Sequence, residues 1–327
     1  MTPANADFQY AVDLLRNGQL VAIPTETVYG LAADAANPEA VARIFAAKGR
    51  PADHPLIVHL AAANAVDHWA ENIPDFAWEL METFWPGPLT LILKKQPWVP
   101  EAVTGGQNTV GLRVPGHPVA LELLRRFATA TGPRAGLAAP SANRFGHISP
   151  TTAAHVAEEL GNSVPFILDG GPSAVGIEST IIDCSRENPV ILRPGHIAPE
   201  HLATVLDSQP EIATSNSAPR VSGSLEAHYA PRTPLRLIAE NELPAFLETR
   251  QGHRCGILSH TPPPPETPHR WRQLPANPDG YAHCLYAALR DMDQAAIDLI
   301  IVEAPPASAA WAAINDRLRR AAAGSGR

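Results

Sequence analysis

Thr25, Thr27, Lys48, Arg50, His54, His59, Arg113, Ser141, Asn143, Ser149, Ser179 and Arg193 are the polar groups that fall at predicted turns or on the non-core faces of predicted strands. The set is rich in guanidinium, ammonium and hydroxyl groups. It contains no nucleophile-elbow serine, no metal-ligand cluster and no carboxylate pair. This inventory suits anion recognition. Cations take phosphate or carboxylate, while hydroxyls and turn amides satisfy the remaining oxygens. The sequence holds no Walker-type phosphate loop, so a nucleotide would be held by scattered cations and not by one loop. Taken singly, each residue has a plainer reading. A lone Arg or Lys is usually solvated surface, Thr25 and Thr27 can form hydroxyl–backbone turns, Ser141 and Asn143 can be a turn-and-cap pair, and His54 and His59 can be structural. Residue types and spacing alone reach an anion-binding α/β protein, with an enzyme as the simplest use of it.

The stretch 23–60 positions much of this set. It reads as strand, polar turn, short helix, basic turn, strand. The apolar run 19–23 is ended by Pro24, and the turn that follows closes on Gly30. Asn37-Pro38-Glu39 starts a helix, with Asn as N-cap, Pro at the first helical position and Glu in the first turn. Val41, Ile44 and Phe45 give that helix its apolar face, and Gly49 stops it between Lys48 and Arg50. A buried strand returns over 55–60. Further on, 108–114 alternates, with Val110, Leu112 and Val114 on one face and Thr109, Gly111 and Arg113 on the other. Helices are expected over 7–17, 64–69, 75–84, 118–130 and 199–206. Strands are expected over 89–94, 136–143, 165–169, 176–183 and 189–193, and Thr151 or Thr152 caps a helix ending at Leu160.

At 327 residues the chain is long enough for two domains. From 208 to 234 it is rich in Ser, Pro, Ala and Gly and reads as a linker holding one island, His228-Tyr229-Ala230-Pro231. Beyond it, strands at LRLIA, CGILS and DLIIVEA alternate with helices over 242–248, 281–291 and 311–322, broken by a proline spacer at 262–265. That pattern predicts a small parallel α/β domain without a phosphate fingerprint. The division is 1–207, 208–234 and 235–327. A net charge of −8 argues against wholesale coating of nucleic acid. Three widely spaced cysteines imply reduced thiols and not a disulfide framework. No secretory signal and no spanning apolar run is visible, so the default compartment is the cytoplasm, without membrane association.

PTETVYGL at 24–31, KGRP at 48–51, PLIVH at 55–59, GLRVP at 111–115, APSAN at 139–143, ESTI at 178–181 and LRPG at 192–195 resemble, in order, the pattern of the YrdC-type threonylcarbamoyl-AMP synthases. HYAP and the domain after it resemble the longer, two-domain form of that family. The resemblance implies an α/β fold: a YrdC-like twisted open sheet with a concave, positively lined surface, plus a small Rossmann-like C-terminal domain. It implies a nucleotidyltransferase that turns L-threonine, bicarbonate or CO2, and ATP with Mg2+ into threonylcarbamoyl-AMP and pyrophosphate. The product would feed the modification of tRNA at the adenosine beside the anticodon (position 37). Other proteins would carry out the transfer, and direct contact with tRNA is left open.

Carried over position by position, the resemblance assigns Thr27, His59, Arg113 and Ser179 to threonine. It assigns Arg50, His54, Thr109, Ala139, Ser141, Asn143, Ser149 and Arg193 to ATP, with Tyr229 reaching toward the nucleotide. Lys48 and Arg50 would act on the reacting phosphates. No protein side chain is expected to ligate the metal. The position of His54 is often Asn in the family, and an imidazole there would add pH dependence. Two other readings remain open: a carbamoyl-transfer module of the hydrogenase-maturation kind, and a non-catalytic RNA-binding protein.

Overall fold

The computed structural model describes residues 3–213, 219–223, 225–250, 252–264 and 267–326. Residues 214–218 and 224 of the expected linker, and Pro265 of the proline spacer, lie outside the described residues. The chain divides into two units. One comprises Met1–Phe145, Pro150–Ala174 and Glu178–Ser224; the other comprises Gly146–Ser149, Val175–Ile177 and Leu225–Arg327.

The first unit is built on a mixed sheet of ten strands. They are β1 (Val21–Ile23), β2 (Gly30–Asp34), β3 (Ile57–His59), β4 (Leu89–Lys94), β5 (Thr109–Arg113), β6 (Leu137–Ala138), β7 (Phe166–Ile167), β8 (Thr180–Asp183), β9 (Val190–Arg193) and β10 (Glu211–Ile212). The spatial order is β10-β9-β8-β4-β5-β3-β6-β2-β1-β7. The helices of this unit are α1 (Asn5–Arg16), α2 (Pro38–Lys48), α3 (Asp75–Phe84), α4 (Glu101–Thr104), α5 (Pro118–Thr131), α6 (Ala153–Leu160) and α7 (Pro199–Ala203). One large apolar cluster includes Tyr29, Ile44, Phe45 and Trp69, and a second joins Phe8 and Leu15 of α1 to Leu123 and Phe127 of α5.

Local chemistry accounts for α2. The Asn37 side chain accepts from the amides of Glu39 and Ala40, Pro38 supplies a preset φ, and Gly49 turns out of the helix at φ 63°. The sequence reading passed from the polar turn directly to α2, but β2 lies between them. Its Gly-Leu-Ala-Ala-Asp run is too small and uniform to show a period, yet those side chains suit a strand paired on both edges, to β1 and β6. The expected strand 136–143 contracts to β6, continued by an isolated bridge between Gly30 and Ser141. The expected helix at 64–69 is a 3-10 segment, Ala63–His68. Strand β5 alternates as expected but is buried on both faces, so Arg113 is not a surface cation. In the LRPG turn, a Cβ at Gly195 would lie 2.2 Å from the Thr180 amide nitrogen, so only glycine lets this turn pass the start of β8.

The second unit has four parallel strands, β11 (Leu235–Ile238), β12 (Cys255–Ser259), β13 (Arg270–Gln273) and β14 (Leu299–Glu303), in the order β11-β14-β12-β13. Its helices are α8 (Leu243–Glu248), α9 (Pro278–Asp293) and α10 (Ala312–Gly324). The parallel α/β arrangement is the one expected. Strand β13 was not legible, because Arg-Trp-Arg-Gln is an edge strand without a buried face. All three cysteines are free thiols.

Candidate active site

The polar turn at 25–28 is organised by Thr25. Its hydroxyl donates to the Val28 carbonyl at 2.6 Å and accepts from the amides of Thr27 and Val28. With that proton committed, Thr27 is the donor in the 2.8 Å contact between the two hydroxyls. The Thr27 oxygen keeps lone pairs for another donor. Arg113, at the end of β5, supplies it: Nη1 donates to Thr27 Oγ1 at 3.1 Å, Nε to the Gly87 carbonyl at 3.1 Å, and Nη2 to the Glu26 carboxylate. Glu26 Oε2 is buried and has no hydrogen-bond partner among the described residues. Arg113 is therefore a buried cation held by an internal carboxylate that is itself only half satisfied.

His59 ends β3 and pairs in register with Arg113. Burial, and then the charge of Arg113, pushes its imidazole down to about 3, so the ring is neutral at neutral pH. Its Nδ1 has no hydrogen-bond partner among the described residues.

A second group surrounds the end of α2. Lys48 is buried, and its Nζ donates to the carbonyls of Ser141 and Asn143. Burial, and then the neighbouring charge of Arg50, holds the ammonium well below its ordinary value. Arg50 donates to the Pro55 carbonyl at 3.0 Å and to Ser222 Oγ at 3.1 Å. His54 packs edge-on against Phe145 and is also lowered, by burial and then by Arg50. A third group joins Arg193 of β9 to Ser179. Nη2 donates to Ser179 Oγ at 3.1 Å and to its carbonyl at 2.9 Å, while Ser179 Oγ lies 2.8 Å from Thr90 Oγ1. Thr109 and Ala139 are buried, and the Ala139 amide donates to the Ile57 carbonyl.

Residues 219–223 of the expected linker dock on this unit. Val221 packs on Ile92, Ile181 and Ile57. The Ser222 carbonyl accepts from Arg193 at 2.7 Å, and its hydroxyl meets Arg50. Arg220 pairs with Asp53 at 3.3 Å and donates to the Gly105 carbonyl, while its backbone exchanges two hydrogen bonds with the Gln107 side chain. Ser222 thus occupies donors on two of the predicted site cations.

The structure brings Thr27, His59 and Arg113 together, joins Lys48 to Ser141 and Asn143, and joins Ser179 to Arg193. Ser149 and Tyr229 belong to the second unit. Tyr229 is buried there with φ 61°, its ring stacked 5.7 Å from Tyr286 and under the Arg317 guanidinium at 5.3 Å. Sequence reasoning missed Glu26, Thr90 and Ser222. Glu26 had a signal, since it stands between the two threonines of the turn, but nothing in the sequence shows that β5 aims an arginine at it.

Residues 13–195 match the Sua5/YciO/YrdC family model, described as telomere recombination, and residues 197–323 match the model of the threonylcarbamoyl-AMP synthase C-terminal domain. A Bacillus subtilis protein named threonylcarbamoyl-AMP synthase is 40% identical, the alignment covering 96% of this chain and 92% of the relative. A Pyrococcus abyssi protein of the same name is 38% identical over 95% of this chain and 92% of its own. The crystal structure of P. abyssi Sua5 complexed with L-threonine superposes with a TM-score of 0.87 at 36% identity, covering 97% of this chain and 95% of that one.

Proposed function

The chain belongs to the Sua5/YciO/YrdC family and carries the Sua5-type C-terminal domain, and on that premise we infer that it makes threonylcarbamoyl-AMP from L-threonine, bicarbonate or CO2, and ATP, releasing pyrophosphate. The observation that carries this reading is the cluster around Arg113: a buried guanidinium, already engaged by a carboxylate, beside the Thr27 hydroxyl and a neutral His59. A ligand bearing a carboxylate and a hydroxyl on adjacent carbons of a small amino acid matches that set.

The chemistry needs no protein nucleophile. The threonine amine adds to CO2, forming an N–C bond and losing a proton, and a carbamate oxygen then attacks the α-phosphorus. The bond from that phosphorus to the bridging oxygen breaks, and pyrophosphate leaves with its electron pair. Positioning and charge stabilisation supply the catalysis. In this reading Arg113 exchanges Glu26 for the substrate carboxylate, Thr27, His59 and Ser179 orient the amino acid, and Lys48 and Arg50 stabilise charge on the reacting phosphates. Arg193, Ser141, Asn143, Thr109, Ala139 and His54 line the nucleotide, and the family pattern adds Ser149 and Tyr229 to the nucleotide set. What supports these roles is that Lys48, Arg50 and Arg193 are buried cations bonded to carbonyls and hydroxyls that a ligand's oxygens can replace. Mg2+ would arrive with ATP and neutralise its phosphates, since the grouped side chains offer cations and hydroxyls and no carboxylate cluster. Residues 1–207 would carry the catalytic domain, 208–234 the lid and 235–327 a small accessory domain. The product would be handed to tRNA-modifying transfer proteins. Among the described residues no helix is long and apolar enough to cross a membrane, and the cytoplasm is the proposed setting.

The test is pyrophosphate release with ATP, Mg2+ and bicarbonate, with and without L-threonine, and mass spectrometry of the adenylate. Release that requires both threonine and bicarbonate, with an AMP adduct carrying threonine plus one CO2, is expected. Release indifferent to threonine, or none, would overturn the reading in favour of carbamoyl transfer or RNA binding.

A further inference from the structure

The carboxyl ends of three neighbouring strands in the second unit meet at one point. Glu303 is the last residue of β14, His260 follows the last residue of β12, and Glu240 lies two residues beyond β11, in the turn Glu240–Glu242. The chain runs from β11 across to β12, outward to β13, and back to β14 between the first two. This reversal is the topological switch at which open parallel sheets form a crevice for ligands. We propose that Glu240, His260 and Glu303 form a site there for one divalent first-row transition cation of the Zn2+, Co2+ or Mn2+ kind.

One donor atom from each of the three residues lies within 4.8 Å of the other two. A cation bound at roughly 2.1 Å needs ligand separations of about 3.4 Å in a tetrahedral site. Glu240 is exposed on its short turn, so its carboxylate is free to swing the ~1.4 Å that remains at most. Glu303 is the fixed ligand. It is 0% exposed, and its Oε2 accepts from the amides of His260 at 2.9 Å and Thr261 at 3.0 Å, with the Thr261 hydroxyl 3.0 Å from both oxygens. These bonds orient the carboxylate as outer-shell partners orient a metal ligand. His260 Nδ1 lies 3.2 Å from Glu303 Oε2 yet is directed so that it makes no hydrogen bond. The nitrogen and the carboxylate oxygen stand at a distance that a shared cation would fit.

A second observation is independent of the cluster. Tyr281 is fully buried, and its hydroxyl has no hydrogen-bond partner among the described residues. Its ring packs edge-on to Trp311, which in turn lies 6.2 Å from the His260 ring. Burial, and then the charge of Glu303, pushes the phenol up. Such an orphaned donor suits the water that completes the coordination of a three-ligand site. One imidazole and two carboxylates favour a borderline transition cation over Ca2+, which takes more oxygens, and over thiolate-seeking ions.

The experiment titrates chelator-treated, full-length protein with Co2+ in nucleotide-free buffer. Binding is followed by equilibrium dialysis and visible absorption. Saturable binding is expected, with d–d bands of nitrogen and oxygen ligands and no thiolate charge transfer. Glu240→Gln and His260→Ala should each weaken it at least about tenfold, and Tyr281→Phe should weaken it by about tenfold as an outer-shell loss. Glu240 is exposed, so its variant keeps the fold, and circular dichroism checks both ligand variants. Absence of saturable binding, a thiolate spectrum, or affinity held within about tenfold in either ligand variant would overturn the proposal.

Discussion

Arg113 engages Glu26, Thr27 and the Gly87 carbonyl at once, so every ligand of this guanidinium competes with groups already in place. Truncating a buried, hydrogen-bonded charge costs about 2–5 kcal/mol. Arg113→Ala should therefore raise the threonine KM by about 100-fold while moving the ATP KM little; equal losses in steady-state titrations of both substrates would remove Arg113 from the threonine subsite. Glu26→Gln acts oppositely. It replaces a charge-assisted bond with a neutral one, a difference of about 1 kcal/mol, and should lower the threonine KM by about fivefold. An unchanged or raised KM would show that Glu26 is not the competitor. His59 carries a pH prediction. Its folded value of about 3 lies below the ordinary 6.5, so the unfolded chain binds the extra proton between those values. Stability must then fall as pH drops from about 6.5 toward 3, by roughly 1.4 kcal/mol per unit from this residue alone. His59→Gln should flatten that part of the curve of urea midpoint against pH, and parallel curves for the two proteins would refute the burial of a neutral imidazole.

At the level of elements, α2 carries Lys48 in its last turn, and its N-terminus rests on Asn37. Asn37→Ala should cost about 1 kcal/mol of stability, read as a lower urea midpoint, with turnover at saturating substrates unchanged; a loss of turnover in folded protein would mean that the cap also fixes Lys48. The cap, the proline and the glycine of α2 were legible because their chemistry is local. Strand β2 was not, because five small residues buried by neighbours on both edges carry no period of their own. The same holds for the site. The cations and hydroxyls could be picked out by type, and the ordered motifs gave them roles. The roles of Glu26 and Ser222 could not be assigned because their partners lie 87 and 172 residues away in the chain. Tyr229 shows the reverse: its sequence neighbours suggested a linker, and its ring is part of a buried aromatic stack.

For the molecule as a whole, the docked segment 219–223 offers the clearest handle. Val221 anchors it on Ile92, Ile181 and Ile57, and burying such a side chain contributes about 1.5–3 kcal/mol. Val221→Asp should release the segment. Limited proteolysis near Arg220 should accelerate, and the yield of adenylate per ATP consumed should fall, because an open site loses carbamate to water. Accelerated cleavage with an unchanged yield would separate docking from catalysis. The internal pairing of Arg113 with Glu26 also sets how the two substrates respond to ionic strength. On the proposed assignment, threonine would displace Glu26 from Arg113 and enter as a net-neutral zwitterion, so the pocket's net charge would hardly change and screening would have little to act on. On the same assignment ATP would bring several negative charges to Lys48, Arg50 and Arg193, and its attraction would weaken as the Debye length shortens. Raising salt should therefore shift the ATP saturation curve while leaving the threonine curve nearly in place.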